Sequence, residues 1–308
     1  MNLVTAEQLE PDLWRLDLNF QDSPQTVAAF LVVGLHGHTL VETGPSSTLD
    51  ALEQGVLAAG ARLDEITQLL VTHIHLDHAG AAGSLLRRLP DARLFVHPLG
   101  APHMIDPSKL LRSATRIYAE RMDALWGAFE PCPADRVTIL NDGDEVTCGD
   151  RTLVALHTPG HASHHIAFHD PDVGSVFTGD VGGVRLEGAS YVRPPTPPPD
   201  IDVEAWHASV SRLKALKPRA LDLTHFGRFT DAERHLDELL YRLDDWTAWV
   251  RRRVELGETP ERMAEDLHVR SSADIASQVL DPDLARAYEL ATPSRMTVDG
   301  LVRYLDKK

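Results

Sequence analysis

The stretch Thr72-His73-Ile74-His75-Leu76-Asp77-His78 decides the fold, because it places three imidazoles and a carboxylate within six consecutive positions. It follows Leu69-Leu70-Val71, an apolar run that predicts a buried strand. Each buried edge of a histidine ring needs a hydrogen-bonding partner, so packing alone is a poor explanation for this concentration of polar rings. The pattern therefore predicts a metal site at the end of a buried strand.

Further metal-competent residues follow later strand-like runs. His161 closes the Thr-Pro-Gly-His turn at 158–161, and Asp180 closes the Thr-Gly-Asp turn at 178–180. His225 follows a third apolar run directly. Each of these residues lies where an apolar run gives way to glycine or a loop, so we expect the strand ends to converge on one rim.

With these motifs in this order, the chain resembles the metallo-β-lactamase superfamily. The resemblance covers roughly residues 12–230 and rests on His-x-His-x-Asp-His at 73–78, the turns at 158–161 and 178–180, and the late His225. It implies an α/β (α+β) fold, namely a four-layer αββα sandwich with the metal site at one edge between the sheets.

The resemblance also implies a site for two divalent metal ions. Carried over by position, one metal would be held by His73, His75 and His161. The other would be held by Asp77, His78 and His225, with Asp180 bridging the two. Imidazole and carboxylate ligands suit Zn²⁺ first, and Fe or Mn as alternatives. A metal-bridging hydroxide would be the nucleophile, and Asp77 could act as general acid/base.

The implied activity is hydrolysis of a small ester, thioester, lactone or phosphodiester. A mononuclear iron oxidase of the persulfide dioxygenase type is an alternative, which the complete second-site ligand set disfavours. An acyl-homoserine lactonase is another, although Gly183 stands where those enzymes usually carry a tyrosine and Tyr191 would have to substitute.

Several residues outside the ligand set are candidates for supporting roles. Glu42 stands where the family usually shows aspartate, and we expect it to hydrogen-bond a ligand histidine. Arg193, Arg228 and Tyr191 are candidate substrate contacts, with a solvated charge as the competing interpretation of each arginine. His157 is expected to fix its loop, and packing or exposure is the preferred interpretation of His164, His165 and His169.

The amino-acid composition limits the kinds of partner that the protein is expected to bind. The formal net charge of −16 over 308 residues disfavours nucleic acid, which binds clustered lysine and arginine, and favours a small-molecule substrate. No run approaches the roughly 20 apolar residues that span a bilayer, so no membrane partner is expected. The start, Met1–Glu7, lacks the features of a secretory signal, and Cys132 and Cys148 are the only cysteines. Together these features predict a cytoplasmic protein.

Apolar periodicity divides the chain at about residue 230. Strand-like runs and helices alternate through residues 1–230, the predicted metal-binding domain, whereas 231–308 carries helical patterns and no strand-like run. Its apolar stripe predicts core packing, with a homodimer interface as the second interpretation. Five prolines in 193–200 exclude a helix there and predict a stiff connector that could also wall the active site.

Overall fold

A computed structural model of the chain describes residues 6–278 and 282–308. Contacts divide the chain into two compact units. The first comprises Met1–His157 and Ile166–Val173, and the second comprises Thr158–His165 and Gly174–Lys308. The expectation of an N-terminus without a secretory signal rests largely on residues 1–5, which lie outside the described part of the chain.

The first unit contains a seven-stranded sheet whose strands lie in sequence order. The first four strands pair antiparallel, and the fourth to seventh pair parallel. These strands are β1 (Ala6–Glu10), β2 (Leu13–Asp17), β3 (Ala28–Val32), β4 (His38–Val41), β5 (Ile66–Leu70), β6 (Arg93–Val96) and β7 (Val137–Ile139).

The apolar runs that predict buried strands form the centre of this sheet. All five residues of β3 are buried, and Leu69, Leu70 and Val71 at the end of β5 have no exposed surface. A strand covered on both faces loses the polar–apolar alternation of a surface strand, which is why these runs are continuous in sequence. The histidine-rich motif therefore begins at the end of a buried strand, as predicted.

Six helices also belong to the first unit: α1 (Leu49–Ala58), α2 (Leu76–Ala79), α3 (Ala82–Arg88), α4 (Ala101–Ile105), α5 (Ser108–Tyr118) and α6 (Met122–Trp126). The histidine-rich motif runs into the short helix α2, and the separate helix α3 follows from Ala82. The amphipathic stretch 107–128 is broken at Ala119, whose φ of 46° does not continue a right-handed helix.

Three more strands complete the first unit: β8 (Glu145–Cys148), β9 (Arg151–His157) and β10 (Ile166–Asp170). They pair antiparallel in sequence order. The backbone N–H of Ile166 donates to the carbonyl of Thr72 at 2.7 Å, which fixes the start of β10 against the histidine-rich motif. The buried Arg151 pairs with Asp12 and Asp170, so its charge is neutralised within the unit.

The second unit carries strands β11 (Ser175–Phe177), β12 (Ala220–Leu223) and β13 (Gly227–Phe229). β11 pairs parallel with β12, and β12 pairs antiparallel with β13. Helix α7 (Val203–Ala215) provides the crossover from β11 to β12. It begins at Asp202, whose side chain accepts the N–H of Ala205 at 2.9 Å as an N-cap.

The C-terminal part of the second unit is helical. Its helices are α8 (Ala232–Glu255), α9 (Pro260–Ala276), α10 (Pro282–Ala291) and α11 (Ser294–Leu305). Most of the predicted stripe of α8 is buried, with Leu236, Leu239, Leu243 and Trp246 inaccessible to solvent, whereas Val254 near its end is 37% exposed. The mixed α/β fold with C-terminal helices is thus confirmed, and the domain boundary at 230/231 stays a prediction. Within the described ranges, no helix combines the length and apolarity needed to cross a bilayer.

Candidate metal centre

Four of the predicted ligands lie together in the first unit. Nε2 of His73 and Nδ1 of His75 are 2.9 Å apart. Nε2 of His78 lies 3.8 Å from a carboxylate oxygen of Asp77. Two nitrogen ligands of one tetrahedral Zn²⁺ are separated by about 3.3 Å, given Zn–N distances near 2.05 Å. The imidazole nitrogens are somewhat closer than that, and both lie within reach of one ion.

A buried glutamate orients this cluster. Oε1 of Glu42 accepts hydrogen bonds from Nδ1 of His78 at 2.9 Å and from the hydroxyl of Thr72 at 2.5 Å. Its Oε2 accepts the backbone N–H of Thr72 at 3.2 Å. Because the carboxylate accepts from Nδ1, that nitrogen carries the proton and Nε2 of His78 carries the lone pair needed by a metal.

The same carboxylate also fixes His73, through the Thr72 hydroxyl. That hydroxyl gives its proton to Glu42, so it accepts from Nδ1 of His73 at 3.0 Å. The lone pair of His73 is then on Nε2, the atom beside His75. The expected hydrogen bond between Glu42 and a ligand histidine is present, and it reaches a second histidine by way of Thr72.

Glu42 holds this position with a left-handed backbone. Its φ is 66°, a region that costs a residue other than glycine, asparagine or aspartate of order 1–3 kcal/mol. The side chain has no exposed surface. Strain and burial together indicate that the rest of the unit forces the carboxylate into the motif.

The remaining predicted ligands lie in the second unit. Oδ2 of Asp180 is 3.3 Å from Nε2 of His161, and Oδ1 of the same carboxylate is 3.4 Å from Nε2 of His225. All three side chains are buried. One carboxylate thus presents each oxygen to a different imidazole, which is the arrangement expected of a residue that bridges two metal ions.

The turn that carries His161 requires glycine before it. Gly160 has φ of 138°, and a Cβ built there would lie 2.4 Å from Cα of Trp206 on α7. No other residue would fit so close to the helix. The indole of Trp206 packs edge-on against the His161 ring, with centroids 5.7 Å apart.

The proline-rich segment sets the orientation of His161. Nδ1 of His161 donates to the backbone carbonyl of Pro195 at 2.8 Å. That bond places the proton on Nδ1 and leaves Nε2 facing Asp180. The stiff connector predicted from its prolines therefore contacts a predicted ligand directly.

His165 has a role that the sequence interpretation missed. Its Nε2 accepts the backbone N–H groups of Asp180 at 3.2 Å and Val181 at 3.4 Å. Its Nδ1 donates to the hydroxyl of Thr158 at 2.9 Å. His165 therefore fixes the backbone of the bridging aspartate. The sequence feature that could have indicated this role is the position of His165, which faces Thr158 across the loop between two strand-like runs.

Two further histidines, His97 and His157, pack against each other. Nε2 of His157 donates to the carbonyl of Leu140 at 3.0 Å, so His157 fixes its loop as expected. The ring of His97 lies 4.1 Å from it, centroid to centroid. Burial, together with the neighbouring His157, lowers the pKa of His97 to about 4. His97 is thus neutral at pH 7.

The candidate substrate contacts all have protein neighbours. Arg193 is 1% exposed and donates to Ser294 at 2.9 Å and to Glu289 at 3.3 Å. Arg228 forms a two-point ion pair with the buried Asp222. Tyr191 is buried beneath the guanidinium of Arg242. A role in substrate binding stays a prediction for Arg193, Arg228 and Tyr191.

Histidine and aspartate side chains are donors that suit divalent metal ions. The cysteines do not contribute thiolates at neutral pH. Burial raises the pKa of Cys132 to about 12 and that of Cys148 to about 11. Both are free, buried thiols.

Comparison with known proteins identifies the family. The model of the metallo-beta-lactamase superfamily matches residues 23–225, well over half of the chain. The chain therefore belongs to the metallo-β-lactamase superfamily. The predicted family and its fold, two sheets with helices and additional C-terminal helices, are confirmed.

Individual relatives are distant. The metallo-beta-lactamase fold-containing protein ST1585 of Sulfurisphaera tokodaii is 26% identical over 222 residues, 70% of this chain and 80% of that protein. The hydroxyacylglutathione hydrolase of Aeromonas hydrophila is 30% identical over 162 residues, 52% of this chain. Those residues span 48%, about half, of the hydrolase.

One solved structure is similar in fold over almost the whole chain. The metallo-beta-lactamase family protein TTHA1429 from Thermus thermophilus matches with a TM-score of 0.70 at 21% identity. The match covers 97% of this chain and 95% of that one, which includes most of the C-terminal helices. At this identity the likeness shows the fold alone.

Proposed function

We propose that the chain is a binuclear metal-dependent hydrolase of small acyl thioesters and esters. The observation that carries the proposal is the Asp180 carboxylate, whose two oxygens face Nε2 of His161 at 3.3 Å and Nε2 of His225 at 3.4 Å. A carboxylate that only orients one histidine has no need of a second imidazole on its other oxygen.

Family membership implies how the ligands would share two metal ions. His73, His75 and His161 would hold one ion, and Asp77, His78 and His225 the other. Asp180 would bridge them. The hydrogen bonds of His73, His78 and His161 support this assignment, because each gives the Nδ1 proton to an acceptor and keeps the Nε2 lone pair for a metal. Zn²⁺ is the proposed ion, with Fe or Mn as alternatives.

The protein's own groups would perform the remaining steps. Two bound divalent ions would supply an acidified water and polarise the substrate carbonyl. Asp77 supplies the carboxylate of the histidine-rich motif, and 21% of its side chain is exposed. It would accept the proton of the attacking water and return it to the leaving thiolate or alkoxide. Glu42 and His165 would keep the metal ligands in position during the reaction.

Charge and family support the choice of substrate. The net charge of −16 repels a polyanion such as RNA, whereas a small acyl thioester escapes most of that repulsion. The similarity to a hydroxyacylglutathione hydrolase points to the same chemical class. We therefore propose a small-molecule substrate and neither nucleic acid nor membrane as a partner. Leu236, Leu239, Leu243 and Trp246 of α8 are buried in the single chain, so these side chains lend no support to a homodimer.

Metal analysis and a substrate panel test the proposal together. Purified protein loaded with Zn²⁺ should contain two ions per chain. It should hydrolyse S-acyl thioesters with a higher kcat/KM than bis(p-nitrophenyl) phosphate or structured RNA. The variant Arg303→Ala, at an exposed position of α11, serves as the matched control and should match wild type in both assays.

Three results would contradict the proposal in different ways. One iron per chain with oxidation of a persulfide would indicate the mononuclear oxidase. Turnover of acyl-homoserine lactones alone would indicate the lactonase. The geometry at Gly183 disfavours that alternative. The lactonases usually carry tyrosine there, and a Cβ at this position would lie 2.7 Å from a side-chain carbon of Leu239. Efficient RNA cleavage without thioester turnover would refute the argument from charge.

A further inference from the structure

The backbone of the segment 193–200 is paired at its first residue, where Arg193 bridges Val184. Five of the eight residues are proline, which has no N–H to donate, so regular backbone pairing does not continue through 194–199. Yet the carbonyl of Pro195 must stay within hydrogen-bonding distance of Nδ1 of His161. The position of that carbonyl therefore depends on what contacts the segment from outside.

Helix α11 makes those contacts. Its first residue, Ser294, accepts from Arg193 at 2.9 Å, and the carbonyl of Thr297 accepts from the hydroxyl of Thr196 at 3.2 Å. Beyond the last turn, the amino group of Lys307 donates to the carbonyl of Pro199 at 2.8 Å.

Gly300 brings the helix and the segment into backbone contact between these points. A Cβ added at Gly300 would lie 1.9 Å from the carbonyl oxygen of Thr196 and 2.9 Å from the carbonyl carbon of Pro197. The neighbouring atoms are main chain, so they cannot turn aside as a flexible side chain could. Positions 294, 297 and 300 follow one another at three-residue intervals along one side of the helix, and this side follows the segment.

We propose that α11 is a positioning element for the metal ligand His161. Its Gly300 face fixes Thr196, the adjoining Pro195 carbonyl then fixes Nδ1 of His161, and Nε2 is held toward Asp180. The C-terminal helices would thereby set metal affinity at one of the two metal positions. This inference rests on the proposed binuclear centre and assigns to the proline segment and the last helix a role in it.

The hydrogen bond of Thr196 offers a mild test. Thr196→Val keeps the volume of the buried side chain but removes the hydroxyl that donates to Thr297. Thr196→Ser keeps the hydroxyl. If α11 acts through this contact, Thr196→Val weakens one metal position and Thr196→Ser restores affinity toward the wild-type value. A role in packing alone would give the opposite order, because serine removes a methyl group from a buried site and valine does not.

Gly300→Ala offers a stronger test, because the added methyl forces the backbone of Thr196 to move. We expect one metal to bind more weakly by on the order of tenfold, the lower end of the effect of removing a partner of a ligand histidine. The other metal should bind as in wild type. Arg303→Ala, on an exposed position of the same helix, is the matched control.

The measurement is stepwise Zn²⁺ binding in competition with a chromophoric chelator, alongside circular dichroism of each metal-free variant. Two wild-type affinities in a folded Gly300→Ala variant would overturn the inference. If that variant does not fold, the Thr196 pair decides, and equal affinities for valine and serine would overturn it. Failure of the proposed function would give a different result from failure of this inference. In that case the wild-type protein itself would bind fewer than two ions, whatever the variants do.

Discussion

Glu42 accepts the Nδ1 proton of His78 at 2.9 Å, and neither side chain is exposed to solvent. The same carboxylate accepts from both the hydroxyl and the N–H of Thr72. One buried acid therefore determines which nitrogen of two neighbouring histidines can bind a metal.

Replacing Glu42 with glutamine should weaken metal binding while the fold is kept. The amide has the same shape but no charge, and it is a poorer acceptor for Nδ1 of His78. We expect a tenfold to hundredfold loss of metal affinity, the usual effect of removing the partner of a ligand histidine. Chelator competition measures it. Glu53→Gln, an exposed glutamate paired with Arg88, is the control, and equal affinities in both variants would contradict the role of Glu42.

Asp180 and His225 should differ in the number of metals they affect. Asp180→Ala removes the carboxylate that faces both His161 and His225, so both ions should be lost or strongly weakened. His225→Ala removes one ligand and should cost one ion. Elemental analysis after gel filtration gives the stoichiometry. The same loss in both variants would show that Asp180 does not bridge.

Ending the chain after Thr230 should give an insoluble protein. Helix α8 buries Leu236, Leu239 and Trp246, and Nε2 of His235 donates to the carbonyl of Gly182 at 2.7 Å. Removing α8 exposes the apolar surface that these side chains cover and leaves the carbonyl of Gly182, two residues beyond Asp180, without its donor. Size-exclusion chromatography and a thioester assay check the outcome. A monomeric and fully active fragment 1–230 would show that the C-terminal helices are an independent module.

Acid should destabilise the protein through His235. Its complete burial lowers its pKa from 6.5 to about 4. Between these two pH values, His235 is therefore protonated in the unfolded chain but neutral in the folded chain. Stability is therefore retained above pH 6.5 and falls as the pH drops toward 4. Between pH 7 and pH 5 the loss from this group is about 2 kcal/mol.

His235→Gln keeps a donor for Gly182 but does not titrate in this range. Urea unfolding at pH 7 and pH 5 should show a smaller loss in this variant than in wild type. His207→Gln, at a partly exposed histidine, is the control. A loss as large in His235→Gln as in wild type would show that other groups account for the acid sensitivity.

The sequence predicted the parts of the site that depend on local pattern. The apolar run before Thr72 and the spacing of His73 to His78 are local, and the family motifs added His161, Asp180 and His225. The contact of Pro195 with His161 was not predictable, since it joins residues 34 positions apart through a main-chain atom that carries no side-chain identity. The break at Ala119 had no local signal either, because alanine favours helix continuation.

The left-handed backbone of Glu42 should make this position resistant to change under selection for heat resistance. Glycine would adopt φ of 66° without strain, yet it would remove the acceptor of His78 and Thr72 and leave their buried donors unpaired. The unpaired donors and the space left by the side chain would offset the strain that glycine relieves. Laboratory evolution for heat resistance should therefore keep the acid at this codon and improve the protein elsewhere.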